Sequence, residues 1–132
     1  MYYITTFFSL QGRINRKPFW IGFVILFAIE FALLVSMGTL MIMAGATTGG
    51  AQVDFANDPS MKYVAVIILV SLVIFYCSFA LFAKRIHDLG NSAWFFMIVF
   101  IPVIGWGWLL LEAGLFQGEK GPNKFGPDPL AN

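Results

Sequence analysis

The sequence predicts an all-α integral membrane protein: three transmembrane helices, the third kinked or re-entrant, preceded by a short interfacial segment. Three observations carry that prediction. Hydrophobic residues make up 59% of the 132 and charged residues 11%, against about 45–50% and about a quarter in soluble domains. The mean hydropathy is +0.81. Three apolar runs, residues 19–46, 63–83 and 94–116, each reach the roughly 20 residues that a spanning helix needs. Eight basic and seven acidic side chains cannot cover the surface of a soluble domain of this length. A formal net charge of +1 supplies no field for nucleic acid. Composition therefore excludes a disordered chain, a soluble enzyme and a nucleic-acid binder. The chain reads as one membrane domain over residues 1–132, with a loop at 47–62 and a C-terminal tail at 117–132.

Each element has a local cause. Met1, Tyr2, Ile4, Phe7, Phe8 and Leu10 give the first twelve residues an amphipathic character suited to the interface. Asn15 is placed to cap the first helix, with Pro18 in its first turn where a missing N–H costs little. Gly45 to Gly50 is small, polar and helix-breaking, as an exit into water requires. The run between them is longer than a bilayer core demands, which predicts tilt or an extramembrane extension. It is also too long for the core of a cleaved signal peptide, and it contains Glu30. Asp58-Pro59 is a cap followed by a first-position proline and starts the second helix. Gly90 ends that helix in the left-handed conformation, after which Asn91 or Ser92 caps the third. Trp20 and Trp94 open their spans at headgroup level.

The third run contains Pro102, Gly105 and Gly107. These residues either kink a continuous span or turn the chain back at mid-depth. Unsatisfied backbone in lipid costs several kcal/mol per group, so a kink is the expected solution, with the C-terminus outside. With the N-terminus inside, Arg13, Arg16, Lys17, Lys84 and Arg85 are then cytoplasmic, and Lys62, Lys120 and Lys124 are not. Re-entry would bring Lys120 and Lys124 back and leave Lys62 alone outside.

Candidate chemistry is sparse. One cysteine, Cys77, and one histidine, His87, allow no internal disulfide and no structural zinc. No metal or cofactor is expected, and Cys77 reads as a buried thiol. Two clusters share the predicted cytoplasmic face: Arg13, Arg16 and Lys17, then Lys84, Arg85, His87, Asp88 and Ser92. The plain reading is topogenic, with Asp88 neutralising an arginine. The sharper reading is a headgroup- or partner-binding site built from Arg13, Arg16, Arg85, His87, Asp88 and Ser92, since guanidinium forks suit phosphate. His87 beside Asp88 is not read as a catalytic pair, because neighbours on a helix do not face each other. Nor is there a Gly-x-Ser-x-Gly nucleophile motif. Glu30 lies roughly 16 Å along the helix from Phe19. An intramembrane charge costs about 2.5 kcal/mol or more. Glu30 is thus either protonated and bonded to Ser71, Tyr76 or Ser78, or part of a proton or cation relay. Glu112 is expected near the far interface, and Gly114 with Gly118 forms a small-xxx-small pair for helix packing. The tail is turn chemistry throughout. It reads as an ordered loop folded back on the headgroups with Phe125 as an anchor.

Taken in order, Gly12-Arg13 with Arg16 and Phe19-Trp20, then Arg85-Ile86-His87-Asp88 with Ser92 and Trp94, then Pro102 and Gly105, then Gly121-Pro122-Asn123 with Gly126 and Asp128-Pro129, form a recognisable series. It resembles the bacterial inner-membrane family called domain of unknown function 805, from about Gly12 to Pro129. Lys84 is a mild departure, where the family often has arginine or another residue. The resemblance implies a small multi-pass protein of the bacterial inner membrane and no particular activity. It adds the tail residues Asn123, Gly126 and Asp128 to the candidate site, because its motifs fall on the interfacial clusters and the tail.

The expectation is a non-enzymatic component with a cytoplasmic N-terminus. Its partners would be the lipid bilayer, anionic headgroups among it, and another membrane protein or a second copy of itself, with no role for nucleic acid. The alternative is an oligomeric transporter or channel component that uses Glu30.

Overall fold

A computed structural model describes residues 7–47, 49 and 58–131. Among these residues the structure is helical with no strand. The elements are α1 (Arg16–Thr47), α2 (Ser60–Asp88), a 3₁₀ helix (Ala93–Phe100) and α3 (Ile104–Leu115). Met1, Tyr2 and Ile4 of the predicted interfacial segment lie outside the described residues, as does most of the 47–62 loop.

The helix boundaries follow the local signals. The Asn15 carbonyl accepts the Phe19 N–H at 3.1 Å, and its side-chain oxygen accepts the Arg16 N–H at 2.7 Å. Asp58 Oδ1 accepts the Ser60 N–H at 2.7 Å, and the Asp58 carbonyl accepts that of Met61. At the end of α2, Gly90 has φ +79°. The Gly90 N–H donates to His87 and the Asn91 N–H to Ile86, which is a Schellman closure. Ser92, by contrast, makes no side-chain cap, and the Asn91 side chain donates to Glu112 Oε1 at 3.1 Å. The third run therefore begins without the predicted cap.

The chain divides into two compact units. In the unit formed by residues 26–75, apolar side chains point outward: Phe27, Phe31, Leu34, Ile42, Leu69 and Phe75 are all exposed. Ser36 and Thr39 donate to the carbonyls of Ala32 and Val35, so their hydroxyls are satisfied within the helix, as lipid requires. The most apolar windows of α1 and α2 are only 17% and 22% buried. A core helix of a soluble protein would be mostly covered, so these two helices have the length and exposure of membrane spans. The Oε2 atom of Glu30 is buried with no hydrogen-bond partner. Tyr76, one of its three predicted partners, instead donates to the Phe8 carbonyl at 3.0 Å within the other unit.

That other unit joins residues up to Ile25 with residues from Tyr76 onward. Its core is aromatic. Phe82 packs edge-on against Phe19, Phe23 and Phe96, and Phe79 edge-on against Phe96. Gly22 lets α1 approach α2, since a Cβ there would sit 3.1 Å from the Leu81 side chain. Cys77 is a buried free thiol, as expected.

The third apolar run is not one kinked helix. In its 3₁₀ half Phe96 packs against both Phe82 and Phe79 of α2, and the helix breaks at Ile101–Val103. α3 then runs back. Pro102 has no N–H, and Val103 takes φ +64°, a costly conformation for a β-branched residue. Gly105 makes the crossing possible: a Cβ on it would lie 1.8 Å from the Ile98 carbonyl oxygen. The turn satisfies much of its own backbone, with Ile101 donating to Ile98, Ile104 to Pro102 and Gly105 to Ile101. This local satisfaction removes the main objection to a turn at depth. The two ends of the run meet at the Asn91–Glu112 bond, so Glu112 sits beside the start of the run and not at the opposite interface.

Candidate functional site

Arg13 of the first basic cluster, Arg85 and Asp88 of the second, and Asn123 and Asp128 of the tail assemble into one polar knot at the end of α2. Asp88 is its centre. Its Oδ1 accepts Arg13 Nε at 3.0 Å, and its Oδ2 accepts Arg85 Nη1. One carboxylate thus bridges two guanidiniums. The side chains of Arg13, Asp88 and Arg85 are 1%, 4% and 0% exposed. Removed from water, such charges persist only where their remaining hydrogen-bonding positions are filled.

The remaining positions are filled by backbone carbonyls. Arg85 Nε donates to Ala113 at 2.6 Å and its Nη2 to Phe116 at 2.5 Å. These carbonyls belong to the C-terminal end of α3, which favours a cation. Arg16 Nη1 donates to Leu115 at 3.2 Å, and Trp20 Nε1 to Gly114 at 3.3 Å. Arg13 reaches further along the tail, from Nη1 to Gly121 at 2.7 Å and from Nη2 to Glu119 at 2.5 Å. The Glu119 N–H returns a bond to the Asp88 carbonyl at 2.8 Å.

Two glycines allow this contact. A Cβ on Gly114 would meet the Trp20 ring at 2.5 Å, and one on Gly118 would meet Asp88 Oδ2 at 2.0 Å. The Gly114–Gly118 pair is therefore occupied within the chain; it is not a free face for another helix.

The tail locks itself in place. Asn123 Nδ2 donates to the His87 carbonyl at 3.0 Å and to Glu119 Oε2 at 2.9 Å, while Asn123 Oδ1 accepts the Phe125 N–H. Asn123 and Gly126 form a small antiparallel bridge. Asp128 accepts the N–H groups of Leu130 and Gly121, and these bonds, the Leu130 one foremost, hold its carboxyl below the usual aspartate range. The Phe125 ring stacks on His87 at 3.9 Å, so it anchors the tail to the protein and not to the headgroups.

The structure thus changes the roles assigned from sequence. Arg13, Arg85 and Asp88 have committed their polar atoms inside the protein, and a headgroup cannot reach the buried Arg85. Arg16 is exposed, with one internal bond. Ser92 is exposed and makes no cap. The His87 ring faces Phe125 and the Asp88 carboxylate faces two arginines, so the pair does not form a hydrogen-bonded dyad. Glu119, Trp20 and the carbonyls of Ala113 and Phe116 are the parts that sequence reasoning missed. The available signal was a lone aspartate among cations together with a tail rich in glycine and proline.

The model of the family described as "Protein of unknown function (DUF805)" matches residues 7–127. The chain is 26% identical over 126 residues to "Inner membrane protein YhaH" of Escherichia coli (strain K12), covering 96% of this chain and 91% of that one. It is 26% identical to "Inner membrane protein YhaI" of the same strain, over 96% of this chain and 90% of the relative. It is 28% identical over 145 aligned positions to "Uncharacterized protein YiiR", over 92% of this chain and 86% of the relative. No solved structure matches. The family match spans the first basic cluster, the Arg85–Asp88 cluster, the hairpin and most of the tail, and the chain belongs to this DUF805 family of bacterial inner-membrane proteins.

Proposed function

We propose that the chain is a non-enzymatic, multi-pass inner-membrane component, with both its N-terminus and its tail on the cytoplasmic side, that works through contact with anionic lipid headgroups at that face. One observation carries the reading. The Arg85 clamp on Ala113 and Phe116 ties the end of the third run to the end of α2. The third run then re-enters the bilayer and does not cross it. Seven of the eight Lys and Arg residues, all but Lys62, fall on one face, which is the distribution that the positive-inside rule favours. With α1 and α2 as the two full crossings among the described residues, a C-terminal fusion to a reporter active only in the cytoplasm is expected to be active. A reporter active only in the periplasm is expected to be silent at the same position. The reverse pattern would reject the re-entrant topology and the concentration of charge that follows from it.

A second reading is favoured by the buried, unpartnered Oε2 of Glu30. An acid at that depth with one oxygen unsatisfied fits an oligomeric transporter or channel component. Glu30→Gln should abolish transport in that case. Under the lipid-contact reading it should leave anionic-lipid preference unchanged.

A further inference from the structure

We propose that a groove of about 730 Å³ beside the start of α1 holds one anionic phospholipid, its phosphate at Lys17 and an acyl chain against Ile21 and Ile25. The inference rests on the lipid-contact reading above and gives it an address that the arginine knot does not.

The groove is chemically graded. Lys17, Ile21 and Ile25 stand at i, i+4 and i+8, so they share one face of α1. The charge is at the helix start, and the two branched chains follow about 6 and 12 Å deeper. Ile21 and Ile25 are exposed, and both line the groove. Lys84 also lines the groove; at 6% exposure it adds positive potential from within the wall, with Lys17 left to meet the headgroup. Arg13 also lines the groove with its charge paired to Asp88, and no carboxylate is among the described lining residues. Charge at one end and aliphatic surface along the rest match a phospholipid in both polarity and direction. The absence of lining acids selects a net negative headgroup over a zwitterionic one. Arg13 and Asp88, committed to the knot, hold the wall in place.

The test is native mass spectrometry of the full chain in detergent with equal phosphatidylglycerol and phosphatidylcholine. One phosphatidylglycerol should be retained per chain in preference to phosphatidylcholine. Lys17→Gln removes an exposed cation and should weaken retention about tenfold, the effect of losing one charge-assisted bond. Ile25→Trp fills the apolar half from an exposed position and should do the same. Both variants should keep the wild-type melting temperature, which separates a lost site from a lost fold. If the wild type prefers phosphatidylglycerol and both variants retain it equally, the groove is wrong and the lipid-contact reading stands. If the wild type shows no preference, both fall. Displacement of the lipid by inorganic phosphate alone, or a dimer that forms in its place, would also overturn the proposal.

Discussion

Asp88→Ala is expected to be the most damaging single polar change in the protein. It leaves Arg13 and Arg85 facing each other, with side chains 1% and 0% exposed. Removing one partner of a buried charge pair costs about 3–5 kcal/mol, because the remaining charge stays desolvated. Here two charges of the same sign are left behind. The damage should begin in the tail. Glu119 loses the anchoring of its Asp88 acceptor as the α2 end loosens, and Arg13 is repelled from the place where it holds Gly121 and Glu119. Melting in detergent should show a large fall in midpoint, and proteolysis should cut the tail before the helices. Arg16→Gln is the reference: Arg16 is exposed with a single bond to Leu115, so its loss should cost less than about 1 kcal/mol. In an Asp88→Ala background, Arg13→Ala should cost far less than in the wild type, since its partner is already gone. A midpoint for Asp88→Ala no lower than that of Arg16→Gln would refute the view that the knot holds the hairpin and tail to α2.

The limits of sequence reading here are physical. Asn15, Asp58-Pro59 and Gly90 were legible because a cap joins residues one to five positions apart. The spans were legible because lipid imposes a composition over about 20 residues. The clusters at Arg13–Lys17 and Lys84–Asp88 were legible as belonging to one face. What joined them was not, because Arg13 meets Asp88 across 75 positions and Gly121 across 108. Most of the acceptors are backbone carbonyls, and every residue carries one. Gly114 and Gly118 illustrate the same limit. Their spacing is the same for a helix-packing stripe and for two independent contacts, one under an indole and one against a carboxylate. Pro102 and Gly105 marked where the third run breaks. Whether it continued or turned back depended on a tertiary clamp, Arg85 on Ala113 and Phe116, which has no local signature.

Two glycines of α3 should therefore respond to the same substitution with opposite signs. A Cβ on Gly105 would lie 1.8 Å from the Ile98 carbonyl oxygen, and 2.7 Å from the carbon that bears it. Those atoms are backbone, so no side-chain rotation relieves the clash. Relief requires the 3₁₀ helix and α3 to separate. Gly105→Ala should cost about 3 kcal/mol, the upper part of the range for overpacking, and the melting midpoint should fall accordingly. Gly107 lies two positions on in the same helix, where a Cβ would meet nothing within 4 Å. Gly107→Ala should gain stability by up to about 1 kcal/mol, because alanine is the better helix former. The contrast discriminates between the two shapes of the third run. In a continuous kinked helix the carbonyl of Ile98 would lie seven residues back along the axis from Gly105, roughly 10 Å away, and both glycines would accept alanine. Only a chain that doubles back brings that carbonyl against Gly105. Equal tolerance at both positions would restore the continuous span and carry Lys120 and Lys124 to the opposite side of the membrane. A loss confined to Gly105 keeps them beside Arg13 and Lys17.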